Sequence, residues 1–462
     1  MSEHLLWAER AWIAGRWQES VLLEVDRQGC WGTVTAGVAT PPAARRLAGP
    51  VLPSLVDAHS HAFQRAFAGL SERRETEADD FWSWRERMYR VALRITPEQM
   101  RAVAAQLYVE LLRGGYTQVC EFHYLHHDRA GEAYADPATM CWALADAAGE
   151  AGIGLTLLPV LYERAGFAQP ALHADQRRFA STPALAHRLF QTVQASERPL
   201  LNAGIAIHSL RAAGAASMAD LLARVAGQDL PIHIHVAEQT REVDDCVAAT
   251  GARPIEWMCR ELRPDARWQL VHATHATAAE IEAVAESGAS IVISPSTEAN
   301  LGDGLTDLNG WLSARVPMAV GSDSQVCRNW PEELRWLEYG QRLARRQRNV
   351  AAAPAQGHSA TAARLFDTAL NAGAGSAGLA SWGIVSGARA DALVLDAGSP
   401  ALLGVPASHR LDALVFAGGD PALREVLVAG RAVLKDGRHA RQQEISDRFR
   451  DVMETLWGQA TQ

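Results

Sequence analysis

The sequence predicts an α/β fold: a (β/α)8 TIM-like barrel with a small β-sandwich domain built from both termini. Eight short apolar runs alternate with longer amphipathic stretches; they lie at 51–56, 116–122, 154–161, 203–208, 231–236, 268–272, 290–294 and 316–321. Strands that alternate with helices are typical of a parallel barrel. Short apolar runs without intervening helices lie before residue 50 and after residue 380, which indicates a second, smaller domain made of strands.

The elements follow in order along the chain. Strands are expected at 11–13 and 21–25, then the barrel units with helices at 96–113, 137–151 and 218–226. Thr96 is a good capping residue, and Pro97 suits the first helical position. Strands are expected again at 391–396, 413–416 and 426–430. We therefore predict three segments: 1–50 (first part of the β-domain), 51–380 (the barrel) and 381–462 (second part of the β-domain and a terminal helix).

Composition narrows the functional class. The chain has 462 residues, of which 48% are apolar and 21% charged, as in a globular protein. The net charge of −9 argues against nucleic acid as a partner. No apolar run is long enough for a membrane span, and the N-terminus lacks a signal-peptide layout. The six cysteines are scattered without a C-x-x-C pair, which predicts free thiols and a cytoplasmic location.

The most informative stretch is the histidine pair His59 and His61. It directly follows the first apolar run of the barrel, Val51–Asp57. On an extended backbone, side chains two residues apart point the same way, so both imidazoles can reach one ion. The pair therefore predicts the start of a metal site.

Other strand ends supply the remaining groups. Chemistry in a barrel gathers at the carboxyl ends of its strands, so residues far apart in sequence meet there. Imidazole and carboxylate ligands suit zinc, and the set also suits Fe2+. The predicted ligands of one ion are His59, His61, His235 and Asp323. The only lysine, Lys435, lies outside the barrel, so a carbamylated lysine bridging two metals is not expected.

Three residues are predicted to carry the chemistry. Asp323 can accept the proton of the attacking water, and Glu238 can pass a proton to a nitrogen leaving group. His272 can orient hydroxide or polarise the electrophile. A single histidine is more often a hydrogen-bonded core residue, which is what we expect of His233. For Asp323 alone, a turn former in Gly-Ser-Asp-Ser is the alternative.

These motifs resemble the amidohydrolase superfamily on its deaminase side. The resemblance runs from about Leu52 to Ser324, and longer stretches extend it: 57–65, 81–86, 121–124, 156–162, 208–211, 296–304 and 333–342. Within the superfamily they are similar to the deiminases of histidine degradation that hydrolyse N-formimidoyl-L-glutamate to N-formyl-L-glutamate and ammonia. The resemblance implies one Zn2+ per subunit, a homodimer and a small dicarboxylate substrate. It also implies the substrate-binding residues Gln64, Arg85, Tyr124, His208 and Arg211.

The chemistry of a dicarboxylate agrees with two of these residues. A planar guanidinium binds a carboxylate with two parallel hydrogen bonds, and Arg85 and Arg211 supply two such groups. Tyr124 could bind the formimidoyl end or a carboxylate, or could simply pack as an aromatic ring. Gln325 departs from the family pattern, which has His there, and we expect that difference to affect the rim of the pocket.

Two other functional classes are considered. A deaminase of a nucleobase or another cyclic amidine would share the metal site but need a flat apolar slot, and the two arginines argue against it. A non-catalytic relative that kept only the fold would usually lose metal ligands, and this chain keeps all four. The sequence therefore favours a zinc-dependent hydrolase acting on a linear amidine.

Overall fold

The computed structural model describes residues 4–74, 79–419 and 422–458. Within these ranges no helix has the length and apolarity needed to cross a bilayer. The chain forms a parallel β-barrel with surrounding helices, and a separate nine-stranded sheet to which both termini contribute. The predicted fold is confirmed.

The first strands belong to the small domain. Long strands of alternating burial pair as an antiparallel hairpin, and shorter strands lie beside them. They are β1 (His4–Ile13), β2 (Arg16–Val25), β3 (Trp31–Thr35), β4 (Arg45–Arg46) and β5 (Val51–Leu52).

The barrel strands come next, and almost every residue in them is buried, as expected of a parallel sheet covered by helices. They are β6 (Leu55–Ser60), β7 (Tyr116–His123), β8 (Gly154–Leu161), β9 (Leu201–Ala203), β10 (Ile205–Ser209), β11 (Ile232–Val236), β12 (Trp268–His272), β13 (Ser290–Ile293) and β14 (Met318–Val320). Their order around the barrel is β6-β7-β8-β10-β11-β12-β13-β14, with β9 beside β8.

The last strands return to the small domain. They are β15 (Ala392–Leu395), β16 (Leu423–Val428), β17 (Arg431–Lys435) and β18 (Arg438–His439). The order of the small sheet is β18-β17-β16-β15-β5-β1-β2-β3, with β4 beside β1. Some of its buried apolar residues form a separate cluster, whereas others, such as Trp12 and Leu393, pack with the barrel core.

Helices connect and cover the barrel strands. They are α1 (Phe81–Ala92), α2 (Pro97–Arg113), α3 (Thr139–Ala151), α4 (Pro183–Gln194), α5 (Ala215–Arg224), α6 (Thr240–Thr250), α7 (Pro254–Glu261), α8 (Ala278–Ser287), α9 (Pro295–Leu301), α10 (Leu308–Ala314), α11 (Trp330–Arg345), α12 (Thr361–Ala377), α13 (Arg410–Phe416) and α14 (Gln442–Trp457). Helix α2 begins as predicted, since the Thr96 hydroxyl accepts from the backbone N–H of Gln99 and Pro97 takes the first position.

The barrel closes beside the predicted metal site. Ser60, at the end of β6, forms a parallel bridge with Asp323, just after β14. Gly321 makes this approach possible, because a Cβ there would lie 2.7 Å from the Cβ of His59. The buried carboxylate of Asp57 then accepts from the backbone and hydroxyl of Ser322, at 2.8 and 2.6 Å. The contacts that close the barrel therefore also bring His59 and Asp323 close together.

Two predicted strands differ from the structure. The run 413–416 is the end of helix α13, because Leu411, Leu414 and Val415 are buried at helical spacing on one face. The run 51–56 is not one strand: β5 pairs with β1 and β15 in the small sheet, and the first barrel strand begins at Leu55. The domain boundaries at 50/51 and 380/381 stay predictions.

Candidate metal centre and active site

Three histidines meet at the carboxyl ends of the barrel strands. His59 lies near the end of β6, His61 follows two residues later, and His235 lies in β11. The Nε2 atom of His59 is 3.2 Å from that of His61 and 3.0 Å from that of His235. All three rings are buried. The structure thus brings together the three imidazoles that the sequence predicts as ligands.

Hydrogen bonds fix which nitrogen of two of these rings faces the cluster. The Nδ1 atoms of His61 and His235 each lie 3.0 Å from a backbone carbonyl oxygen, of Phe122 and His208 respectively. Because a carbonyl only accepts, each Nδ1 donates and each Nε2 of a neutral ring keeps a lone pair. Burial lowers the pKa of His61 to about 3, so that ring is neutral. One proton on His59 could satisfy only one of the two lone pairs, so the arrangement fits a cation.

Asp323 supplies the carboxylate of the cluster. Its Oδ1 atom lies 3.6 Å from Nε2 of His59 and 3.4 Å from Nε2 of His61. Its backbone N–H donates to the carbonyl of His59 at 2.9 Å, which fixes its position through the barrel closure. Burial is the main cause that raises the pKa of Asp323 to about 7. Three imidazoles and one carboxylate form a set that suits zinc and similar divalent ions.

His272 stands between three carboxylates beside the cluster. Its Nδ1 atom is 3.3 Å from Glu298 Oε1, and its Nε2 atom is 3.7 Å from Glu238 Oε1 and 3.8 Å from Asp323 Oδ2. Burial opposes the charged ring, but these acids, Glu238 first, raise the pKa of His272 to about 10. The neighbouring acids therefore favour the protonated form of the ring, which could stabilise negative charge near it.

One wall next to the cluster is polar and aromatic. The amide of Gln64 donates to the Tyr124 hydroxyl at 3.3 Å. The Tyr124 ring centre is 5.1 Å from that of His61, and the His208 ring centre is 5.1 Å from that of His235. The structure thus places Gln64, Tyr124 and His208 beside the predicted metal ligands.

The two predicted arginines share one aromatic neighbour. The Cζ atoms of Arg85 and Arg211 lie 4.5 and 5.7 Å from the ring centre of Trp82. Arg211 Nη2 is 3.2 Å from Glu238 Oε2, and its Nε is 3.8 Å from Glu242 Oε2. The Nε–H of Arg85 is buried without a hydrogen-bond partner in the described chain. Guanidinium donors therefore remain available close to Glu238.

Two buried residues lie near the candidate metal centre and are not among its predicted ligands. His233 is buried in β11 with its Nε2 2.9 Å from the carbonyl of Ser376, as expected for a core histidine. Gln325 is fully buried, and its amide donates to the Ser60 hydroxyl at 3.0 Å and the Asp323 carbonyl at 2.9 Å. Gln325 therefore lies at the barrel closure, and its effect on the pocket rim and on the rate stays a prediction.

Sequence reasoning did not single out several neighbours of these groups. Glu298 lies on α9, which follows β13, a barrel strand whose end supplied none of the predicted residues. Glu242 is buried four residues after Glu238 and accepts from its backbone N–H at 3.1 Å. Trp82 belongs to the stretch 81–86 but received no predicted role of its own. The rule that barrel strands end in functional groups could have found Glu298; contacts made across the fold could not be found this way.

A (β/α)8 barrel with three imidazoles and a carboxylate at its strand ends defines the class of metal-dependent barrel hydrolases. The model of the amidohydrolase family matches residues 51–433. The chain belongs to this family.

Comparison with individual proteins agrees with this family assignment. The chain is 45% identical over 452 residues to the formimidoylglutamate deiminase of Pseudomonas aeruginosa, covering 98% of this chain and 99% of that one. It is 40% identical to an amidohydrolase from Brucella melitensis of known crystal structure, with a TM-score of 0.92 and coverage of 98% and 99%. A zinc-containing adenosine deaminase from Xanthomonas campestris shares the fold, with a TM-score of 0.80 at 22% identity and 98% coverage of both chains.

Proposed function

We propose that this protein hydrolyses N-formimidoyl-L-glutamate to N-formyl-L-glutamate and ammonia, as a zinc-dependent step of histidine degradation in the cytoplasm. The observation that carries the proposal is the likeness to the Pseudomonas aeruginosa deiminase across the whole chain. The position of two guanidinium groups beside the candidate metal centre supports it independently, because the substrate has two carboxylates to bind.

We propose zinc as the metal from the donor set. His59, His61, His235 and Asp323 would hold it, and their three nitrogens and one oxygen suit Zn2+ while Fe2+ remains compatible. When bound, the ion supplies a water of lowered pKa and Lewis-acid polarisation.

The six free cysteines agree with the proposed cytoplasmic location, because the cytoplasm is a reducing compartment.

The roles of the protein groups follow from their positions. Arg85 and Arg211 bind the carboxylates, and Gln64, Tyr124 and His208 orient the substrate from the aromatic wall. This holds the formimidoyl carbon next to the imidazole cluster.

The proton transfers use three further groups. Asp323 accepts a proton from the attacking water as the new C–O bond forms. Glu238, within 4 Å of His272, carries a proton to the departing nitrogen as the C–N bond breaks. His272, 3.8 Å from Asp323, orients the attacking oxygen as the new bond forms. The products are the formamide and ammonia.

An ammonia-release assay on a small panel tests the proposal. The panel contains N-formimidoyl-L-glutamate, N-formimidoyl-L-aspartate, guanidinoglutarate, guanine and cytosine. We expect turnover of the first compound above all others, and an Arg211→Met variant should raise KM for it. Turnover of guanine or cytosine without turnover of formimidoylglutamate would show a ring deaminase instead. The expected homodimer stays a prediction, to be measured by light scattering after gel filtration.

A further inference from the structure

The charged groups of the candidate active site form two neighbouring clusters. Arg85 and Arg211 lie around Trp82 in one of them. Glu238 and Glu298 approach the two ring nitrogens of His272 at the other, acidic end, and Glu238 also pairs with Arg211, which joins the two clusters. A linear amidine with two carboxylates has the matching pattern, since an amidine, like a guanidinium, spreads positive charge over its nitrogens at neutral pH.

One acidic residue at this end has no role so far. Asp303 follows α9, and its backbone N–H donates to the carbonyl of Glu298 at 2.9 Å. Its Oδ1 atom accepts from the side-chain amide of Gln239, the residue directly after Glu238. These two hydrogen bonds fix Asp303 between the segments that carry Glu238 and Glu298.

The second oxygen of Asp303 is unused. The side chain is only 5% exposed, and Oδ2 is buried with no hydrogen-bond partner within the described chain. No described arginine, lysine or histidine forms an ion pair with it. A buried carboxylate oxygen without a donor is costly, so a donor that arrives with a ligand would relieve that cost.

The surrounding charges favour a cationic donor. Burial, then Glu238, raises the pKa of Asp303 to about 9; Glu298 and Asp323 add to this, while His272 opposes it. The carboxyl is therefore protonated at neutral pH in the free protein, and a cationic donor at Oδ2 would favour its ionised form. Excess negative charge in a buried site attracts positive charge.

We propose that Asp303 is a specificity-determining residue whose free oxygen accepts a hydrogen bond from the cationic amidine end of the substrate. The pocket thereby selects amidines and guanidines over neutral amides and ureas of the same shape. This inference rests on the proposed function and deepens it, because it explains how the site recognises the reacting group and not only the carboxylates.

Binding of two isosteric ligands to the metal-loaded, full-length protein tests the inference without turnover. Guanidinoglutarate carries a planar cation, and N-carbamoyl-L-glutamate carries a neutral urea of the same shape on the same dicarboxylate. The test variant is Asp303→Asn, which keeps an oxygen for Gln239 but cannot take the negative charge that a bound cation would favour. The control is Asp307→Asn, which removes one charge from an exposed side chain four residues away, paired with Arg345. Affinities come from titration calorimetry, and metal content is measured for each sample.

We expect Asp303→Asn to weaken guanidinoglutarate binding about 10- to 100-fold, as for a lost charge-assisted hydrogen bond, and to change N-carbamoyl-L-glutamate binding less than threefold. Asp307→Asn should leave both affinities unchanged. Equal losses for the two ligands, or no loss for either, would overturn the inference. If the wild-type protein binds the cation selectively but does not release ammonia from N-formimidoyl-L-glutamate, the proposed function fails while the charge selectivity stands.

Discussion

The role of Glu298 can be measured by removing its charge and then its side chain. Glu298 Oε1 faces Nδ1 of His272 at 3.3 Å and accepts the backbone N–H of Ser294 at 3.1 Å. A hydrogen bond to a charged group contributes about 1.5–3 kcal/mol, and 1.36 kcal/mol is tenfold in rate. If that interaction acts in the transition state, Glu298→Ala lowers kcat roughly 10- to 150-fold. Glu298→Gln keeps an acceptor without the charge, so about half of that free energy is lost, roughly a 3- to 12-fold decrease.

The assay is steady-state release of ammonia from N-formimidoyl-L-glutamate, with metal content and thermal unfolding recorded for each variant. KM should stay near its wild-type value, because Glu298 acts through His272 and not on the substrate. Glu282→Gln on the exposed side of α8 removes the same charge and should leave kcat unchanged. A Glu298→Ala enzyme with full metal and a kcat within twofold of wild type would refute the reasoning, and loss of metal would move Glu298 to a structural role.

Three further predictions concern the metal, pH and the barrel closure. Removing the metal with a chelator should abolish activity and lower the unfolding temperature, and added Zn2+ should restore both. Burial lowers the pKa of His126 to about 4, against 6.5 as its ordinary value. The folded protein therefore favours the neutral ring, and this contribution to the free energy of unfolding is complete above pH 6.5. It is lost as the pH falls towards 4, about 3 kcal/mol in all. Urea unfolding of His126→Gln should show a flatter decline over that range, whereas the exposed His409→Gln should not. Gln325→Ala removes hydrogen bonds to Ser60 and Asp323, so it should cost about 1–3 kcal/mol of stability in urea unfolding and weaken metal binding in a competition assay.

Local patterns were sufficient for most of the barrel. The strands β7, β8, β11 and β12 lie within one residue of their predicted bounds, because each is a short segment in which apolar residues recur between turns and helices. The strand predicted at 413–416 was wrong because four consecutive apolar residues show neither the helical nor the strand period. Its assignment depended on Leu411, which lies outside the run and completes a helical face.

Some residues of the candidate site were likewise predictable from local patterns, and others were not. His59 and His61 were recognisable because two residues on one strand share a direction, and His235 and Asp323 because barrel strand ends converge. Glu298, Gln239 and Asp303 make contacts between different segments of the chain, which no spacing within the sequence encodes. Trp82 was ambiguous for another reason: a tryptophan packs in cores far more often than it supports arginines. Only its three cationic neighbours, Arg85, Arg211 and Arg241, separate these roles.

The backbone at the strand ends also shows why the site lies there. His272, Asp323 and Gln325 have positive φ angles of 71°, 46° and 68°, a conformation that residues other than glycine rarely adopt. Each such residue costs about 1–3 kcal/mol, so the surrounding structure must enforce it. For Asp323 and Gln325 the barrel closure does so: the backbone of Asp323 is bonded to His59, and Gln325 is bonded to Ser60. A carboxylate held by the fold in this way would need little rearrangement in the proposed reaction, which is the condition under which buried charges accelerate a reaction most.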